Sequence, residues 1–127
     1  MSNRVVHFEI PFDDADRASK FYADTFGWQM MSMPEMGYVM VSTGPSGDQG
    51  PTEPGFINGG MLKREGEWTA PNLVVDVANL EDALKTVSEN GGTTVVERQP
   101  VGDMGFTAYF RDSEGNLVGL WENAAGS

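Results

Sequence analysis

The sequence predicts an α+β fold in which two βαβββ repeats curl into an eight-stranded cup with the helices outside. Three observations predict it. An extended segment, His7-Phe8-Glu9-Ile10, recurs 65 residues later as Asn72-Leu73-Val74-Val75. Each copy leads into a capped helix, through Asp13-Asp14-Ala15-Asp16-Arg17-Ala18 and Ala78-Asn79-Leu80-Glu81-Asp82-Ala83. Each helix is expected to stop at a glycine, and a new extended run opens at Gly27-Trp28 and Gly92-Thr93. Matching halves of this kind normally stack as pseudosymmetric copies.

Residues 4–10 alternate so that Val6, Phe8 and Ile10 share one face and Val5, His7 and Glu9 the other, the pattern of a half-buried strand with a polar second face. Asp13 or Asp14 can accept hydrogen bonds from the free N–H groups of a helix start. Ala15, Ala18, Tyr22 and Phe26, with Phe21 alongside, recur at helical spacing up to Gly27, which gives the helix an apolar side for the sheet. Extended stretches follow at about 28–33, 38–43 and 57–64. Between the last two, residues 44–55 hold four glycines and three prolines and are expected to form an exposed irregular loop, with a lid as the alternative. The second half repeats the order with a strand at 71–77, a helix from the Asn79 cap to Gly91, and strands near 93–99, 106–111 and 117–121. The turn at 112–116 carries Gly115 and Asn116, residues that tolerate positive φ.

The length of 127 residues suits one domain, 1–127, whose repeats span about 4–64 and 71–122. With no cysteine, disulfides, thiolate nucleophiles and Cys-based metal sites are excluded, and one histidine excludes a His-rich site within a chain. Nineteen acidic against eight basic residues give a formal charge of −11, which repels nucleic acid and anionic lipid. The amino terminus shows neither a basic leader nor an apolar span, so a soluble cytoplasmic protein is expected.

The opening His7-Phe8-Glu9-Ile10-Pro11, Phe21-Tyr22, Phe26-Gly27-Trp28, Gly59-Gly60 and the closing run from Asp112 to Glu122 together resemble the vicinal oxygen chelate superfamily of glyoxalases, bleomycin-resistance proteins and extradiol dioxygenases. The resemblance covers almost the whole chain and is strongest to small glyoxalase-related proteins with an incomplete metal site. It implies four inward-facing ligand positions, one on the first and one on the fourth strand of each repeat. They fall on His7, Asn72, Gly60 and Gly119.

A divalent ion needs three or four donors at about 2.0–2.3 Å, and glycine has no side-chain donor. The expectation is therefore no metal and no cofactor, the alternative being a divalent ion at His7 assisted by Glu9. Glu9 lies about 7 Å further along the same face, and Asp76 is expected at its equivalent position in the second repeat. Without the carboxylates, the cup is expected to be roomier and less polar, walled by Trp121 and by adaptable methionines such as Met40. His7 and Glu9 are the candidates for acid–base chemistry, because imidazole titrates near neutrality. Glu122 has the opposite parity from Gly119 and is expected on the outer face. Met40, Gly60, Asn72, Asp76, Gly119 and Trp121 are the expected pocket residues. The expected partner is a small apolar or aromatic molecule. The alternatives are sequestration of a cationic aromatic compound in the manner of bleomycin resistance, or a metal-dependent lyase or dioxygenase with a relocated site. The resemblance also implies a homodimer.

Overall fold

The computed structural model describes residues 3–124 and contains two compact units, one of residues 7–71 and the other of the chain start together with the residues from Asn72 onward. In chain order the strands are β1 (Arg4–Phe12), β2 (Gln29–Met33), β3 (Tyr38–Ser42), β4 (Ser46–Gly47), β5 (Gly50–Pro51), β6 (Asn58–Lys63), β7 (Asn72–Asp76), β8 (Thr93–Val101), β9 (Gly105–Arg111) and β10 (Leu117–Asn123). The helices are α1 (Ala15–Phe26) and α2 (Leu80–Glu89). No helix among the described residues is long and apolar enough to cross a membrane.

In the first unit the strand order is β2-β3-β6-β1, with β6 parallel to β1 and the other neighbours antiparallel. In the second it is β8-β9-β10-β7, with β10 parallel to β7 and the other neighbours antiparallel. The two orders are the same order written twice, which establishes the βαβββ repeat inferred from the 65-residue offset.

Helix α1 begins as the sequence dictates. Asp14 has extended backbone, and its carboxylate accepts from Arg17 N at 3.0 Å, satisfying one of the orphan amides of the first turn. Gly27 ends it at φ 75°, a left-handed cap that a Cβ would disfavour. Asn79 caps α2 in the same way through Asp82 N, at 2.9 Å. One face of the first sheet packs Val39, Val41 and Met61 with Phe8, Ile10, Phe12, Ala15, Ala18, Tyr22, Trp28 and Met30. In the second unit Leu80, Ala108, Leu120 and Val77 form the corresponding core, with Val75, Ala83 and Leu84 against it.

Several local expectations are corrected, the first being the glycine stop of α2, which ends at Glu89 with Asn90 as its C-cap. Phe26 is 61% exposed, so the apolar stripe of α1 meets the core only through Ala15, Ala18 and Tyr22. Phe26 instead packs beside Trp28, with its ring tilted by 33° at 5.3 Å between ring centroids. Residues 44–55 are not irregular throughout: β4 and β5 pair as a small hairpin, and Thr52 returns both its N–H and its hydroxyl to Pro45 O. In the 112–116 turn only Gly115 has positive φ. Asn116 is held differently, its N–H donating to Asp112 Oδ1 at 2.9 Å.

Candidate functional site

The chemistry of the first unit lies on the sheet face opposite α1. Pairing of β1 with β6 sets Glu9 beside Gly60, and pairing of β3 with β6 sets Met40 on its other side. His7, Glu9, Gly60, Met40 and Tyr38 therefore share one face by strand parity. Glu9 is 5% exposed and so more buried than the apolar Phe8 and Ile10 behind it, which makes this face a built polar site and not a solvated one.

Tyr38, which sequence reasoning passed over, joins these residues. Its hydroxyl lies 2.8 Å from His7 Nε2 and donates to Glu9 Oε2 at 3.2 Å. The ring reaches them by crossing Gly60, where any Cβ would overlap the phenol. Tyr38 is two residues from Met40 on the same strand, so it is the diagonal neighbour of Gly60, within reach of a long aromatic side chain. The adjacent Gly59 plays the matching part on the helix-facing side, under the Phe8 ring. The sequence carried part of the signal, a strand opening with Tyr38 after Gly37 and a Gly-Gly pair able to accept a ring on either face, but not the β3–β6 register that brings them together.

This overturns the expectation of a roomier cup at Gly60. The space released by the missing side chain is filled by an aromatic one. The second unit repeats the substitution with different geometry. Tyr109 stands directly opposite Gly119 across the β9–β10 pairing, and Val74 is beside it on β7. A Cβ on Gly119 would lie 3.0 Å from the Tyr109 ring and 3.1 Å from Val74 Cγ2.

The register also corrects the equivalence drawn for Asp76. Glu9 pairs with Gly60 as Val74 pairs with Gly119, so Val74 is the counterpart of Glu9, as an offset of 65 requires. Asp76 is one strand repeat further along, beside Trp121. Asn72 is buried on the same face as Val74, and its Nδ2 donates to Leu73 O at 3.3 Å. Trp121 donates from Nε1 to Asn123 Oδ1 at 2.8 Å. The methionines separate by parity: Met30 packs in the helix-side core, whereas Met40 and the 66% exposed Met31 face the other way. Glu122 lies on the helix side as expected, its Oε1 accepting from Leu80 N at 2.8 Å and its Oε2 3.4 Å from Arg98.

Burial pushes the His7 imidazole below its ordinary pKa, and the neighbouring Glu9 charge opposes this only in part. The ring is thus held in its neutral form near pH 7. Which of His7 Nε2 and the Tyr38 hydroxyl donates across their 2.8 Å contact depends on the tautomer of the ring. Among the described residues, no cluster of three or more His, Asp or Glu side chains is placed to hold a metal ion. A separate cleft of ≈440 Å³ lies at the base of the 44–55 segment, lined by Gln29, Ser42, Thr43, Ser46 and Thr52. Its hydroxyls serve the loop, Thr43 donating to Ile57 O and Ser46 to Gly44 O.

One strand order used in both units, each with a single helix, defines a fold found in solved structures. A hypothetical protein from Bacillus halodurans C-125 superposes with a TM-score of 0.67 at 17% identity, covering 100% of this chain and 99% of that one. A Streptomyces coelicolor methylmalonyl-CoA epimerase bound to 2-nitronate-propionyl-CoA gives 0.67 at 16% identity, over 98% of this chain and 100% of that one. The Mycobacterium tuberculosis methylmalonyl-CoA epimerase gives 0.61 at 18% identity, over 94% and 87%. At these identities the likeness is one of fold. Residues 4–44 match the family described as bleomycin resistance protein-like N-terminal. A glyoxylase-like domain-containing protein from Didymella fabae is 30% identical over 121 residues, 91% of each chain. The chain belongs to the vicinal oxygen chelate superfamily, among its glyoxalase-like members.

Proposed function

We propose that the protein binds a small apolar or aromatic molecule on the His7 face and does not carry out the metal-dependent glyoxalase I reaction. One observation carries this reading. The fourth-strand position that would supply a carboxylate is Gly60, and the Tyr38 ring that lies over it engages His7 Nε2. Of the two family ligand positions in this unit, one offers no donor atom and the other has a nitrogen already committed. These residues do not fit a divalent ion that needs three or four donors. His7 and Glu9, bridged by Tyr38, are instead suited to orienting a ligand and to moving a proton without a Lewis acid.

The test is to add nickel, zinc, manganese or iron to the purified protein and measure lactoylglutathione formation from the methylglyoxal–glutathione adduct. The expected result is turnover indistinguishable from the metal-only blank. Robust metal-dependent turnover overturns the proposal.

A second reading is sequestration of a cationic aromatic compound. It is supported by the family match over residues 4–44 and by the net charge of −11. Quenching of tryptophan fluorescence on titration with cationic aromatic compounds, weakened by added salt, is expected on this reading. Equal response to neutral and cationic aromatics returns the choice to the first.

A further inference from the structure

The three-residue chain in the first unit has a polarity. A carboxylate can only accept hydrogen bonds, and a phenol has one hydrogen to give. Tyr38 directs that hydrogen to Glu9 Oε2. The Tyr38 oxygen therefore faces His7 Nε2, 2.8 Å away, with only lone pairs to offer. Two lone pairs cannot share that distance, so Nε2 must carry the ring's hydrogen. In a neutral imidazole the other nitrogen is then a bare acceptor. Among the described residues, His7 Nδ1 has no hydrogen-bond partner.

We infer that Tyr38 is a positioning residue that fixes His7 in its Nε2–H form, so that Nδ1 is presented as the acceptor for a phenolic or enolic hydroxyl of the ligand. This deepens the proposed function and rests on the His7 face being its binding site. The choice of ligand group follows from the acceptor. A carboxylate has no hydrogen for Nδ1 at neutral pH and a phosphate monoester has little, whereas a weakly acidic hydroxyl supplies the missing donor. Where such a hydroxyl is acidic enough to transfer its proton, the O–H bond breaks and an Nδ1–H bond forms. The ligand is left as an oxyanion and the ring as an imidazolium, whose charge Glu9 offsets across the Tyr38 hydroxyl.

Gly60 is part of the same device. The phenol can reach both partners only because no Cβ stands beneath it. The buried position of Glu9 adds to the constraint, since a carboxylate 5% exposed keeps the donor it has been given.

The single histidine of the chain makes the inference directly measurable, because every imidazole signal belongs to His7. The protein is labelled with nitrogen-15, and two-bond proton–nitrogen correlation spectra are recorded at a pH where the ring is neutral. Wild type is expected to show one tautomer, with a protonated-type Nε2, a bare-type Nδ1 and an Nε2-bound proton protected from solvent exchange. Tyr38→Phe keeps the ring over Gly60 and removes only the hydroxyl. It is expected to lose the protected proton and to relax toward a mixture of tautomers. A proton found on Nδ1 in wild type, or a protected Nε2 proton unchanged in Tyr38→Phe, overturns the positioning role. Phenol is then titrated into wild type as the probe. An upfield movement of the Nδ1 resonance alone is expected, and a resonance that stays in place up to the solubility limit of phenol overturns the ligand class. None of these readings depends on glyoxalase turnover, so failure here and failure of the proposed function are distinguishable.

Discussion

Gly60→Ala is the substitution that most directly tests whether the Tyr38 ring sits where the family's fourth-strand side chain would be. On propensity alone it should help, since glycine within a strand costs about 0.5–1 kcal/mol relative to alanine. The local geometry reverses the sign, because the new Cβ would overlap the phenol and force the ring away. Overpacking of a closed site costs about 1–3 kcal/mol. Displacing the ring also lengthens the 2.8 Å contact with His7 and the 3.2 Å bond to the buried Glu9. Those contribute about 1 kcal/mol for the neutral bond and about 1.5–3 kcal/mol for the charged one. The expected net loss is about 3–5 kcal/mol, a fall in Tm of roughly 10–20 °C for a domain of this size. Urea unfolding followed by tryptophan fluorescence measures it, with Trp28 reporting from the core of the same unit. A double-mutant cycle removes the ambiguity. Adding Gly60→Ala to Tyr38→Ala should cost nothing further, since the atoms it would strike are gone, giving a coupling of about 3 kcal/mol or more. A Gly60→Ala protein within about 0.5 kcal/mol of wild type, or a cycle that is simply additive, refutes the account of this site.

Three other outcomes are expected. Gly119→Ala should cost far less, about 1 kcal/mol or below, because the nearest atoms stand at 3.0 and 3.1 Å and belong to side chains that can yield by tenths of an ångström; urea midpoints compared with those of Gly60→Ala check the ordering. Glu122→Ala should destabilise by about 1–2 kcal/mol, since its carboxylate both accepts from Leu80 N at the start of α2 and offsets the positive end of the helix, and Glu122→Gln should lose less. Because burial lowers the His7 pKa in the folded protein, the unfolded chain binds more protons just below pH 6.5, so the His7 contribution to stability falls as pH drops from that value and levels off below the folded pKa. Subtracting the urea midpoints of His7→Asn from those of wild type across pH isolates that term, and a difference that grows on acidification contradicts it.

The sequence was most legible where a rule of parity or capping acts within a few residues. The 65-residue offset, a cap at Asp13 or Asp14, the Asn79 cap, the Gly27 stop and the outer-face position of Glu122 follow from spacing alone; the structure agrees and selects Asp14. What could not be read was anything decided by register between strands distant in sequence. Tyr38 and Gly60 are brought together only once β3 is aligned to β6, and a shift of two residues would have placed a different side chain over the glycine. Phe26 misled for a related reason: helical spacing puts it on the buried stripe, but at the last position of α1 it stays largely exposed and meets Trp28 instead.

The two glycines show how one change in sequence can have two physical consequences. At both positions the strand face lacks a side chain, and at both a tyrosine of the neighbouring strand is close by. At Gly119 the tyrosine stands directly opposite, with the apolar Val74 on the other side, so the ring beside the vacated position meets an aliphatic neighbour on β7. At Gly60 the tyrosine crosses on the diagonal, and the neighbour on β1 is the ionisable Glu9, so the phenol ends between a carboxylate and an imidazole. The valine at position 74 and the glutamate at position 9 thus separate a structural use of the vacated position from a chemical one. Glu9→Val would make the first unit resemble the second at this point, and Tyr38 would keep its place over Gly60 while losing the acceptor that fixes the direction of its hydrogen. The His7 tautomer should then relax although the ring packing survives, and a single protected Nε2–H form in Glu9→Val would show that the polarity of the chain originates elsewhere.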